Sequence, residues 1–315
     1  MDTPADPATA PLLPADDLRT GDVLLMLGEG PLSELIAWAS DGPYSHAALV
    51  ADGGDLIEAA TAGVRRYPLA TRLADQANYH YIDAMRMHAP QGPLDPADGA
   101  AVLAKAVALL GTPYPIDQLA LFGAIMAVRG KWPEHPWGRL LVRVALDHAL
   151  PQDTGRMVCS EVVYRAYAEC AAAPEGRLAP VIVVGPRGTA PFPDIDWKAL
   201  FDEMWPLLHP EGQARLQPAR LRLNALRSGE LDALHAQTDV VPEIADEELE
   251  SARQRVLGQA GLAAVAAAGE AVVPDGDDTV VPNPNPRLVS PQDLAASPSL
   301  SLLGRLMQRV GRTAG

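Results

Sequence analysis

The stretch GPYSHAALVADGGDLIEAA, Gly42 to Ala60, carries the reading from which the rest of the chain follows. SHAALVA from Ser45 and DLIEAA from Asp55 are short apolar runs of strand composition, and the turn residues DGG lie between them. Two adjacent antiparallel strands are expected, with an imidazole, His46, at the start of the first and a carboxylate, Glu58, inside the second. Neighbouring strands share a face, so this pairing can set Glu58 beside His46. An acidic side chain in an otherwise apolar strand needs a partner once it is buried. His46 is one candidate, and an arginine such as Arg65 or Arg66 is another.

Upstream, Gly21 and Asp22 form a turn signal, with Asp22 as a turn cap, and Val23 to Leu27 reads as a buried strand. A helix over PLSELIAWAS follows, with Pro31 in its first turn. Downstream come a small helix over PLATRLAD and a third strand, YHYIDAMRM, from Tyr79. After the loop APQGPLDP the character changes. ADGAAVLAKAVALLG reads as a helix ending at Gly111, and PIDQLALFGAIMAVRG, GRLLVRVALDHAL and MVCSEVVYRAYAECAAA also carry helical spacing, while APVIVVG returns one strand. The fold class is therefore α+β, an antiparallel sheet packed on helices. Residues 1–17, a mixture of Pro, Ala and Asp, read as a disordered tail, and 18–200 as the folded domain. Residues 201–270 read as a helical extension, and 271–315 as a proline-rich linker closed by an amphipathic helix over SLSLLGRLMQRVG. No internal repeat is visible, and the C-terminal region, which carries no chemical motif, is a candidate surface for a protein partner.

Composition narrows the function classes. A formal net charge of −15 repels both a nucleic-acid backbone and an anionic membrane surface. The acidic, proline-rich start lacks the basic end and apolar core of a secretory signal, and Leu119 to Val128, the longest apolar run, is too short to cross a bilayer. The two cysteines, Cys159 and Cys170, would stand about 16 Å apart on one helix, beyond disulfide reach. Free thiols fit a reducing compartment, and the expectation is a cytoplasmic protein. His88, His135, His148, His209 and His235 have no Cys, Asp or Glu at metal-ligand spacing, and neither a Walker loop nor a dinucleotide fingerprint is present, so no metal and no cofactor are expected.

Cysteine attack on an acyl carbon needs a thiolate, a base that holds its proton and a third group that fixes the imidazole tautomer. Cys159 opens the helix in GRMVCSEVVYRAYAEC, where the positive helix end lowers a thiol pKa. His46 supplies the imidazole and Glu58 the orienting carboxylate. His80, in YHYIDAMR, is the rival base or third member, and Cys170 in its alanine-rich stretch reads as packed.

Taken together, SHAALV, LIEAA, GTPY and VCSEVVYRAY resemble the YiiX-like members of the NlpC superfamily of papain-fold cysteine peptidases. In ordinary NlpC-type enzymes the PY motif and the Cys-Ser helix come first, whereas here His46 and Glu58 precede Tyr114 and Cys159. The resemblance thus implies a circularly permuted papain-like domain with Cys159 as nucleophile, His46 as general base and Glu58 holding the imidazole. It also implies an oxyanion role for the hydroxyl of Tyr114 in GTPY, beside the backbone N–H of Cys159. The match spans roughly Leu18 to Pro193, and the forty-odd residues between Tyr114 and Cys159, with two apolar helices, depart from the family's short link.

Three functions are open on these grounds. A hydrolase would cleave an amide bond in a peptide or acyl-amide substrate through a thioester. A lipid-directed acyltransferase or thioesterase would use the same nucleophile, with Leu119 to Val128 and Leu140 to Leu150 as an apolar pocket wall or lid. A binding or scaffold protein would keep the fold without chemistry.

Overall fold

The computed structural model describes residues 12–60, 63–89, 92–113, 117–149, 157–185, 188, 190–197, 199–200, 244–259 and 279–309. The run Val23–Gly28 (β1) is apolar on both faces and buried almost throughout, as a central strand must be. After the helix Pro31–Ala39 (α1) come the strands His46–Val50 (β2), Asp55–Ala60 (β3) and Gly63–Pro68 (β4), and then the short helix Leu69–Ala74 (α2). The strand Tyr79–Ala89 (β5) returns to the other side of β1, and the two-residue Gly92–Pro93 (β6) pairs antiparallel with its end. The sheet is antiparallel and runs β4-β3-β2-β1-β5. Four helices follow: Pro96–Ala108 (α3), Asp117–Arg129 (α4), Pro136–His148 (α5) and Cys159–Ala168 (α6). Val183–Val184 (β7) pairs with Thr279–Val280 (β8), and Asp246–Gln259 (α7), Pro291–Ala295 (α8) and Leu300–Gln308 (β9) complete the chain. The architecture is α+β, as expected.

Alternation along the strands divides the core in two. Val23, Leu25, Ala47, Leu49 and Ile57 face the large helical layer, where α6 contributes Val162, Val163 and Tyr167. Leu24, Met26, Ala48, Val50 and Leu56 face a smaller cluster closed by Leu69 of α2 and Met307 of β9. The hydroxyl of Tyr167, fully buried, donates to the Gly21 carbonyl and so ties α6 to the turn before β1.

Several expectations from the sequence are corrected. Within SLSLLGRLMQRVG, Leu300–Gln308 forms a strand, not an amphipathic helix: β9 pairs antiparallel with β5, from Tyr81 opposite Gln308 to Met87 opposite Leu300. The backbone groups on that side of β5 demand partners, and this tertiary demand overrides the helical propensity of Leu, Arg and Met. The described part of the proline-rich stretch before β9, from Thr279 on, is likewise no linker, and 271–278 lie outside the described residues. Val289, Ser290 and Leu294 are buried, and Asp293 of α8 is paired with Arg129 of α4 at 3.1 Å. Residues 12–17, expected in the disordered tail, are ordered: the Leu13 N–H reaches the Arg305 carbonyl at 2.7 Å and a 3-10 turn covers Ala15–Asp17, while residues 1–11 lie outside the described residues. β4, in GVRRYP, was not anticipated; its arginines hide the alternation that pairs Glu58 with Arg65. Of the helical extension, α7 lies within the described residues and packs on α4 and α5 through Leu249, Ala252, Val256 and Leu257, inside the main core. The candidate helix at 214–237 lies outside the described residues.

α4 and α5 cover the two stretches read as an apolar pocket wall or lid. They cross tightly, since a Cβ at Gly123 would collide with the Ala145 carbonyl oxygen. Phe122, Ile125, Met126, Val142 and Ala145 are buried in the common core, against α1 and α7.

Candidate active site

Cys159 is the first residue of α6, following Val158 in an extended conformation (φ −86°, ψ 164°). The amides of a first helical turn have no intrahelical acceptors, so the thiol starts in a field of donors. Side chains fix this helix start. The Val158 N–H donates to Glu161 Oε2 at 3.3 Å, Arg165 Nε donates to Glu161 Oε1 at 2.8 Å, and Ser160 Oγ donates to the Val289 carbonyl at 2.6 Å. Burial pushes the Glu161 carboxyl up, against the pull of Arg165 and Arg287.

α6 packs on the helical face of the sheet, whereas His46, opposite Met26, and Glu58, opposite Ala48, lie on the other face. The two meet where β2 parts from β3. Pairing between these strands covers only Ala48–Val50 with Leu56–Glu58, and beyond it β3 keeps only β4 as partner. Ala47 therefore has no β3 partner, and its N–H is donated to the thiol of Cys159 together with that of Ser160. Burial alone would raise the Cys159 pKa, but the charge of His46, its hydrogen bond and these two amides bring the thiol below its ordinary value. For His46, burial acts downward and is outweighed by the charge of Cys159, by Tyr79 and by hydrogen bonds to Cys159 and Glu58, so the imidazole is held well above its ordinary value. The physical sense of both shifts is a thiolate–imidazolium pair.

Glu58 is fully buried, and its Oε2 lies 3.2 Å from His46 Nε2, which leaves Nδ1 as the ring nitrogen for the thiol. The same carboxylate accepts from Arg72 NH2 at 2.5 and 2.7 Å, and from Arg65 Nε and NH2 at 3.1 and 2.8 Å. Burial works to raise its pKa, yet His46, Arg72 and Arg65 hold the carboxyl at about 2. The two partners foreseen for Glu58, His46 and an arginine, are thus both present. Arg65 is that arginine, while Arg66 turns outward to Asp52 at 2.6 Å.

His80, the rival base, pairs with Glu29 at 3.0 Å on the half-exposed surface. Asp22 is the turn cap expected, accepting from the Arg19 N–H at 2.7 Å, and it also holds Arg86. Cys170 is buried, with its thiol donating to the Tyr167 carbonyl. Tyr114 lies outside the described residues. Its neighbour Pro113 accepts a hydrogen bond from the Met157 N–H at 3.3 Å, so the excursion through α4 and α5 leaves and rejoins the fold at one point beside α6. Sequence reasoning missed Arg72, Tyr67 and Tyr79. The signal for Arg72 was the buried acid itself, whose charge demands compensation, but nothing in PLATRLAD marks which cation supplies it.

Fold and site together define an α+β chain in which one helix-start cysteine, one strand-start histidine and one buried glutamate are in contact. No family profile matches the chain, and no curated protein matches it. Among solved structures, the chain is similar to metalloprotein YiiX from Escherichia coli O157:H7, assigned to DUF1105, at 14% identity and a TM-score of 0.40 over 92% of this chain and 98% of that one. Among the described residues of the present chain, no group of three or more His, Cys, Asp or Glu side chains is placed to hold a metal ion, and no helix is long and apolar enough to cross a membrane.

Proposed function

We propose that this protein is a cysteine hydrolase of circularly permuted papain-like, NlpC-type architecture that cleaves an amide bond in a peptide or acyl-amide. The observation that carries the reading is the contact of Cys159 with His46, with Glu58 on the far ring nitrogen. In the proposed reaction the Cys159 thiolate attacks the carbonyl carbon, and the carbonyl π pair moves onto oxygen. Collapse of this intermediate expels the amine, which takes the proton from the His46 imidazolium and leaves a thioester. His46, now neutral, accepts a proton from water as the water attacks the thioester. The carboxylic acid departs and the thiolate–imidazolium pair is restored. Glu58 stays ionised throughout and orients the ring, in the manner of the third member of a triad.

The reading is tested by titrating the thiolate through its ultraviolet absorbance, which needs no reagent access, and by following iodoacetamide alkylation of Cys159 by mass spectrometry with Cys170 as internal control. Cys159 is expected to ionise well below a free thiol, at about 8.5. His46→Ala should return it to the free-thiol range or above. A Cys159 that ionises like Cys170 in both proteins would remove the nucleophile and with it the hydrolase.

A further inference from the structure

Glu58 holds more positive charge than it needs. Its single negative charge meets the guanidinium groups of both Arg65 and Arg72, in addition to the His46 ring. Arg72 is the more committed of the two: its side chain is 6% exposed, against 38% for Arg65. Its guanidinium lies between two aromatic rings, 4.6 Å from the centroid of Tyr67 and 4.6 Å from that of Tyr79. Tyr79 in turn stands 6.3 Å from the His46 ring, tilted at 43° to it, so Arg72 and His46 share Tyr79 as a neighbour beside the carboxylate. The remaining contacts of Arg72 are weak, with NH1 at 3.4 Å from Asp75 and Nε without a partner among the described residues. A buried charge cluster of this kind is a poor way to gain stability, since apolar packing of the same volume does as well or better. α2, six residues long, buries only Leu69 and Arg72, so delivery of this guanidinium is a main consequence of its position.

We propose that Arg72 is a positioning residue of the site, which clamps both oxygens of Glu58 and sets the charge against which His46 holds its proton. The proposal rests on the Cys159–His46 pair described above. The charged and titratable groups around His46 are Cys159 from α6, Glu58 from β3 with Arg65 of β4 behind it, Tyr79 from β5, and Arg72 with Asp75 from α2 and its C-terminal end. Glu58 by itself would bind the imidazolium strongly and keep it from releasing its proton to a leaving amine. The two arginines on this carboxylate outweigh its own negative charge, Asp75 at 3.4 Å from Arg72 balances the remainder, and the pull of Glu58 on the ring proton is weakened accordingly. Arg72 thus keeps the third member fixed in place while tempering its pull on the proton.

The test is a paired titration of the full-length protein, with the His46 ring followed by NMR and the Cys159 thiolate by ultraviolet absorbance. In Arg72→Gln one positive charge is lost, while Arg65 and His46 still hold the carboxylate in place. Both titrations are expected to move to higher pH, by about one unit. Arg72→Lys, which keeps the charge, should leave them near the wild-type positions. A merely structural role predicts the opposite for His46, because a loosened Glu58 would let its pKa fall toward that of a free imidazole. An unmoved or lowered His46 titration in Arg72→Gln overturns the proposal while leaving the hydrolase reading intact. A wild-type protein in which His46 and Cys159 titrate independently overturns both. If Arg72→Gln does not fold, Arg65→Gln removes a charge from the same carboxylate at a half-exposed position. A smaller upward shift is then expected, and no shift refutes the counterweight.

Discussion

Replacing Glu58 by glutamine isolates the electrostatic part of the site, because the amide has nearly the same shape as a protonated carboxyl group. In the folded protein the Glu58 carboxyl is held at about 2, against an ordinary value of 4.5. A group whose folded pKa is depressed contributes stability at pH values above its unfolded pKa and loses it as the pH falls toward the folded value. The difference of about 2.5 units corresponds to about 3 kcal/mol at neutral pH. This agrees in size with the 3–5 kcal/mol, roughly, that is lost when one partner of a buried ion pair is removed. Glu58→Gln should therefore unfold in urea with a stability about 3 kcal/mol below wild type at pH 7, with the gap shrinking to less than half of that at pH 3. The assay is urea denaturation by circular dichroism across that range, with equal m-values as the check on two-state behaviour. Parallel curves, with a gap independent of pH, would refute the argument, because the loss would then come from shape and not from charge.

Two further predictions concern how the rest of the chain supports the site. Arg305 of β9 donates to Asp83 of β5 at 2.7 and 3.0 Å, and Tyr44, two residues before His46, donates to the same buried carboxylate at 2.8 Å. Arg305→Met should cost roughly 3–5 kcal/mol in urea denaturation, since it leaves Asp83 buried without its cation. An unchanged midpoint would show that β9 is not integral to the core. Ser160→Ala removes the hydrogen bond to the Val289 carbonyl and leaves that acceptor buried, for a loss of about 1–3 kcal/mol. It should leave the Cys159 ionisation near wild type, because the Ser160 amide, not its hydroxyl, faces the thiol. A large change in thiolate absorbance in this variant would contradict that division of labour.

The contact of His46 with Glu58 was legible in the sequence, and for a physical reason. A strand of period two places Glu58 and His46 on one face as soon as the DGG turn is recognised, and a helix start is an electrostatic feature visible from Cys159 and the residues after it. Local order of this kind depends on a few neighbours and survives transfer from pattern to structure. β1, α1, β2, β3 and β5 likewise appear where their apolar periodicity puts them.

Only the tertiary structure decided the rest. Leu300 to Gln308 has a composition that serves a helix or a strand equally, and the choice was made by the unpaired edge of β5, more than two hundred residues earlier in the chain. The same distance separates Arg305 from Asp83, so no local reading brings those two charges together. Arg72 sits in an unremarkable small helix, and its partner is named only when β3, β4 and α2 are folded over one another. Sequence by itself determined which groups are chemically suited to act, because residue type and local period fix that. The fold determined which cations stand behind them, because compensation of a buried charge is a property of the enclosing volume and takes its partner from whichever segment the packing brings there.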